Sequence, residues 1–216
     1  MSGAVDIKHV SFDLDGTLIN SFPVMKKAWE HATSELSIRC GFSNYKKFVG
    51  LPFPKIMEHL GLEAYERDLS EIYFATTKSL RHEVSMIEGA DSLLSALKAR
   101  GYSVSIITSK PRMNAELVTE QMGFEHDLLV CGDDYIRGKP DPIAGREIFR
   151  NFDVIPRQVL YVGDMIFDFQ FALNSGMQFV FFGDGGSNRL PANLRNRVIN
   201  CDHLKQIEDV LTGSMV

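Results

Sequence analysis

SFDLDGTLIN, residues 11–20, closes an apolar run with two aspartates one residue apart, Asp13 and Asp15, followed by Gly16 and Thr17. With His9 and Val10 in front, the run has strand length and ends in a turn signal. Positions i and i+2 of an extended chain face the same side. Both carboxylates are therefore expected to face one point at the carboxyl end of a strand, the edge where open α/β sheets bind ligands. Gly16 lets the backbone turn sharply and bring N–H groups close to an anion. Taken alone, the stretch equally fits a plain Asp-Gly turn that caps a strand, because both residues dominate turns on backbone grounds.

Four further stretches share strand length and richness in Val, Ile and Phe: YSVSII (102–107), DLLVCG (127–132), VLYVGD (159–164) and QFVFFG (178–183). Helical patterns lie between them. In 89–100, Leu93, Leu94 and Leu97 have helical spacing, and Gly101 is placed to stop the helix. Others are expected over 111–123, over 167–176, over 203–211, and from DPIAGREIF, with Asp141 as N-cap and Pro142 at the first helical position. Strands alternating with helices imply an α/β fold with a central parallel sheet and right-handed crossovers. One interval breaks the rhythm: about 85 residues separate the first strand from the second, far more than a crossover requires. It reads as helix over 22–36, 53–62 and 64–84. Residues 17–84 are thus expected to form a helical subdomain inserted after the first strand, with 1–16 and 85–216 building the core.

Composition narrows the function. The chain has 216 residues, 44% of them hydrophobic, and a formal net charge of -5 without a long basic block. That suits a globular protein and argues against general nucleic-acid binding. Cys40, Cys131 and Cys201 are widely spaced and form no CxxC, as expected of reduced thiols in a cytoplasmic protein. The opening MSGAVDIKHV lacks the features of a signal peptide, and no apolar run approaches a membrane span. GDGG (183–186) lacks the G-x-G-x-x-G spacing of a dinucleotide site, and SNRLP (187–191) reads as a surface loop.

The other strand ends carry chemistry. The second strand runs into Thr108-Ser109-Lys110, the fourth ends in Gly163-Asp164 with Asp168 four residues on, and Gly138-Lys139-Pro140 lies between the third and fourth. Parallel strands put their carboxyl ends on one edge, so hydroxyls, an ammonium and four carboxylates gather there. Each alone has an ordinary reading: a strand-end hydroxyl, a solvated lysine, a turn residue, a helix cap.

Asp13-x-Asp15-Gly16-Thr17, Thr108, Lys139 in Gly-Lys-Pro, and Gly163-Asp164-x-x-x-Asp168, in this order, resemble the four motifs of the haloacid dehalogenase-like hydrolase superfamily. Within it, the chain resembles the helical-cap phosphatases of the phosphoglycolate phosphatase type. The resemblance covers nearly the whole chain and implies a Rossmann-like three-layer sandwich with an all-helical cap. It implies Asp13 as nucleophile and Asp15 as general acid and base; Asp15 also separates phosphatases from dehalogenases, since halide leaves unprotonated. It implies Gly16, Thr108, Ser109 and Lys139 at the phosphate, and Asp13, the Asp15 carbonyl, Asp164 and Asp168 at a metal, with Asp168 binding directly or orienting water. The residue chemistry agrees. An aspartate is ionised at pH 7 without a helper base and can attack phosphorus to give an aspartyl-phosphate. A hard cation, Mg2+, relieves repulsion between carboxylate and phosphate.

The chain departs from the common pattern in places. Asn20 and Met165 stand where many relatives have an acid and a small polar residue. VGLPFPKIM (49–57) resembles the cap segment that faces the core, and Phe53 falls near the position where sugar phosphomutases carry an arginine for a second phosphate. Hydrolysis is therefore expected over phosphate transfer, with a phosphomutase or a non-catalytic phosphometabolite-binding protein as alternatives. Lys46, Lys47, Lys55 and His59 are candidate specificity residues, against an ordinary reading as solvated helix charges. Trp29 and Met25 are expected to pack the cap. The expected partner is a small phosphorylated metabolite, with neither nucleic acid nor membrane, and the expected state is monomer or homodimer.

Overall fold

The computed structural model describes residues 6–183 and 198–213; GDGG after Gly183 and all of SNRLP lie outside them. In chain order the elements are β1 (His9–Phe12), β2 (Ile19–Asn20), α1 (Phe22–Glu35), α2 (Phe42–Lys46), α3 (Phe53–Leu60), α4 (Glu66–Ser79), β3 (Ser85–Met86), α5 (Ala90–Ala99), β4 (Ser103–Ile107), α6 (Arg112–Met122), β5 (Leu128–Val130), α7 (Arg146–Asn151), β6 (Val159–Gly163), α8 (Ile166–Ser175), β7 (Gln178–Phe182), β8 (Ile199–Cys201) and α9 (Gln206–Leu211).

Six strands form one sheet in the order β5-β4-β1-β6-β7-β8, every pair parallel. All four residues of β1 and all five of β6 are buried, as central strands covered on both faces must be. The two faces alternate along β6. Leu160 and Val162 join a core with Leu93 and Leu97 of α5, Val118 of α6 and Ile207 of α9. Val159 and Tyr161 join another with Ile148 of α7 and Phe171 of α8. The result is the expected three-layer α/β sandwich with a parallel sheet.

Helices α1–α4 form the inserted cap and have their own core. Trp29 is fully buried at its centre, stacks on Tyr45 at 4.3 Å, and satisfies its indole N–H at the Cys40 carbonyl, 2.8 Å away. The insert leaves and re-enters the core through β2 and β3, which pair antiparallel with Asn20 opposite Ser85.

Some elements differ from expectation. The helix expected from Asp141 starts at Arg146 instead. Residues 142–148 first make tight i→i+3 bonds, and Asp141 accepts the Ile143 N–H at 3.0 Å, so its capping role serves a turn. The last helix starts at Gln206, whose side chain accepts the Asp202 and His203 N–H groups. Strand β8, helix α2 and the β2–β3 pair were not foreseen. All three cysteines are free, and among the described residues no helix is long and apolar enough to cross a membrane.

Candidate active site

Strand order builds the site. Because β4 and β6 flank β1, Thr108, Asp13 and Asp164 leave three adjacent strands at one edge, spaced by the sheet's own repeat. The ladder continues past β1, with the Asp13 N–H donating to the Val162 carbonyl at 2.9 Å. The chain then turns tightly, Leu18 and Ile19 both donating to the Leu14 carbonyl. Gly16 takes φ +95 in this turn. A Cβ at Gly16 would lie 2.5 Å from Asp164 Oδ2, so only glycine allows the two loops this approach.

Asp13, Asp164 and Asp168 are buried and offer carboxylate oxygens within 4.8 Å of one another. Lys139, 2% exposed, enters the cluster from the loop before α7. Its ammonium bonds Asp13, Asp168 at 2.8 Å and the Tyr161 hydroxyl at 3.1 Å. Burial pushes Asp13 up to about 7 against the pull of the Lys139 ammonium, while the surrounding carboxylates hold Lys139 well above its ordinary value. With all three carboxylates ionised, the single ammonium leaves a net charge of -2 in a buried site, which a divalent cation balances. The donors are hard oxygens, so the cluster fits such an ion. Both Asp168 oxygens are engaged: Oδ1 accepts from Lys139 and Oδ2 from the Met165 N–H at 3.0 Å.

Asp15 lies beside this cluster on a different network. Its Oδ1 accepts the Ser21 hydroxyl at 2.5 Å and pairs with Lys110 Nζ at 3.0 Å. Thr108 is buried, and its hydroxyl accepts the Lys110 N–H at 3.1 Å. The Ser109 hydroxyl donates across to the cap, onto the Gly50 carbonyl at 2.6 Å. Gly50 has φ +101 and lies against Met165 and Phe167, so VGLPFPKIM does face the core.

Cap and core enclose a cavity of about 50 Å³ over Asp13, Asp15 and Thr108. A single water needs about 10–15 Å³ on the same measure, so the space suits a group of a few atoms. Its cap wall is aromatic and apolar, with Tyr45, Phe53, Tyr73 and Phe74 prominent. Met25 lines the cavity as well as packing the cap, whereas Trp29 serves the cap core only.

Among the four candidate specificity residues none lines this cavity. Lys46 sits over the Phe22 ring, Lys47 bonds Asn44, Lys55 pairs with Glu58, and His59 stacks on Phe48 at 4.7 Å. Lys55 and His59 face a separate outer groove. Asn20 is an exposed member of the β2–β3 pair, and Met165 packs under Gly50 with its N–H on Asp168. Residues not foreseen are Ser21 and Lys110 on Asp15, Tyr161 under Lys139, and the Tyr45–Tyr73 pair in the cap wall. The apolar spacing around these tyrosines marks a buried helix face without distinguishing a core from a cavity.

Comparison with known proteins agrees with this geometry. The family model described as haloacid dehalogenase-like hydrolase matches residues 10–182. A protein named phosphoglycolate phosphatase from Rhodospirillum rubrum is 30% identical over 202 residues, covering 87% of this chain and 84% of that protein. Another of that name from Vibrio vulnificus (strain YJ016) is 27% identical over 227 residues, covering 97% and 98%. In fold, the chain matches the crystal structure of a hydrolase from Pseudomonas syringae with a TM-score of 0.82 at 23% identity, covering 94% of this chain and 97% of that one.

Proposed function

The chain belongs to the haloacid dehalogenase-like hydrolase family, and we propose that it hydrolyses a small phosphate monoester with Mg2+, through an aspartyl-phosphate on Asp13. Phosphoglycolate is the leading candidate substrate, on the names of its relatives. The observation that carries the reading is the buried cluster of Asp13, Asp164 and Asp168 with the Lys139 ammonium on Asp13 and Asp168, beside Thr108 at the end of the next strand.

In this reading an Asp13 oxygen attacks phosphorus while Lys139 steadies the carboxylate. The leaving alcohol takes a proton from Asp15. Ser21 and Lys110 both occupy Asp15 Oδ1, so the proton travels by Oδ2. Water then attacks the aspartyl-phosphate as Asp15 takes its proton back, and phosphate and free Asp13 result. Thr108, the backbone N–H groups that directly follow Asp13 and one donor released by Lys139 hold the phosphoryl oxygens as charge develops. Ser109 is committed to Gly50 and keeps the cap seated over the reaction.

Asp13, the Asp15 carbonyl and Asp164 would hold the Mg2+, with Asp168 orienting its water because both Asp168 oxygens already accept hydrogen bonds. Bound there, the ion supplies positive charge between carboxylate and phosphate. No lysine or arginine of the cap lines the cavity, which favours hydrolysis over the phosphomutase reading, where a second phosphate needs a cap cation. A cytoplasmic setting accords with the free thiols.

A panel of phosphate esters assayed with Mg2+, with and without EDTA, tests the proposal. Phosphate release that EDTA abolishes is expected. Isomerised phosphosugar without free phosphate, or no turnover of any ester, overturns it.

A further inference from the structure

The cavity has an uneven charge distribution. Among the described residues lining it, Lys110 is the one cation, since the Lys139 ammonium is turned to Asp13, Asp168 and Tyr161. Lys110 is held firmly. Its N–H bonds Thr108 Oγ1, its carbonyl accepts the Gly132 N–H at 2.9 Å, and a side chain on Gly132 would collide with the Ser109 carbonyl. Its side chain is 13% exposed, so little water competes for the charge.

We infer that Lys110 reads a second negative charge on the substrate, a carboxylate one carbon from the ester oxygen, and so selects short phosphorylated α-hydroxy acids. The inference rests on the phosphatase reading and deepens it. Lys110 Nζ lies 3.0 Å from Asp15 Oδ1, and Asp15 must touch the ester oxygen to protonate it. A group that Lys110 can grip must therefore hang close to that oxygen. The cap side of the same cavity is lined by Tyr45, Phe53, Tyr73 and Phe74. A distal phosphate buried there would meet aromatic surface without a cation, at high desolvation cost. When a substrate carboxylate draws Lys110 away, Asp15 keeps the Ser21 hydroxyl, so the exchange leaves no carboxylate bare.

The test compares 2-phosphoglycolate with ethyl phosphate, which has the same chain length and no carboxylate, in wild type and in Lys110→Met, with Mg2+. The wild type should prefer phosphoglycolate. Lys110→Met should erode that preference by about 10- to 100-fold in kcat/KM, the worth of a charge-assisted bond, chiefly through KM. Lys110→Arg should recover part of it, and a thermal melt confirms that each variant is folded. Equal losses on both esters would show that Lys110 acts only through Asp15 and would overturn the inference, as would a wild type without preference. Should neither ester turn over, the phosphatase reading fails separately. Calorimetric binding of the same two esters, with Mg2+, then decides: stronger binding of phosphoglycolate that Lys110→Met abolishes supports the inference, and equal binding of both overturns it.

Discussion

Gly16→Ala places a single methyl group against the buried carboxylate cluster. The added Cβ would lie 2.5 Å from Asp164 Oδ2 and 2.8 Å from its Cγ. Ordinary contact begins at 3.4 Å, so the oxygen must retreat by 3.4 less 2.5, about 0.9 Å, or the turn must open. The turn resists, because Leu18 and Ile19 both anchor on Leu14 and Asp13 is tied to β6. A methyl at φ +95 adds a backbone cost of about 1–2 kcal/mol. Mg2+ demands near-octahedral oxygens at about 2.0–2.1 Å, so a displacement of this size removes Asp164 as a ligand. We expect the Mg2+ concentration for half-maximal phosphate release to rise by about 10- to 100-fold, with a smaller loss of kcat at saturating Mg2+. Activity titrated against Mg2+ measures the first effect, and urea denaturation measures the backbone cost. A folded Gly16→Ala protein with the wild-type Mg2+ requirement would refute the claim that this close approach sets the position of Asp164.

Asp13→Asn should fold and lose phosphate release by at least about 10^4-fold, because no other group can form the covalent phosphate; retained turnover would remove Asp13 as nucleophile. Ser109→Ala deletes the core-to-cap bond to Gly50, worth about 1 kcal/mol. It should raise KM by about fivefold with little change in kcat, and an unaltered KM would deny the bond a part in seating the cap. His9 is fully buried between Ser105 and Phe152, and burial holds its imidazole down at about 4, below the ordinary 6.5. The unfolded chain then binds the proton more tightly. His9 therefore stabilises fully above pH 6.5, and that contribution falls away as pH drops through about 4, by on the order of 3 kcal/mol. Urea unfolding of wild type and His9→Gln at several pH values measures this, and parallel pH curves would contradict it.

The architecture was legible because central parallel strands advertise themselves. β1, β4, β6 and β7 are short apolar runs, each ending in a turn residue or a polar group, and the long helical interval could only be an insertion. The gathering of Asp13, Thr108 and Asp164 at one sheet edge was legible for the same reason, since each follows directly on such a run. What escaped notice was short, or depended on distant partners. Strand β8 is three residues long with Asn200 at its centre, and it pairs only at the sheet's edge. Helix α7 was placed too early because Asp141-Pro142 opens a tight turn as readily as a helix. Lys110 looks like any loop lysine until the fold brings Asp15 to it. Conversely, Lys55 reads as a candidate specificity residue, yet its helix turns it to Glu58, three residues on, and to the outer groove.

The paired strands β2 and β3 bear on how such proteins diversify. Asn20 and Ser85 are bonded neighbours, so the segment between them begins and ends at nearly one place, about 5 Å apart. Any foreign module whose own ends meet could be grafted there without disturbing the register of the six-stranded sheet. Asp13, Asp15, Asp164 and Asp168 all stay behind on the recipient scaffold. New leaving-group preferences are thus open to wholesale exchange of this one segment, while the phosphorus chemistry is inherited untouched.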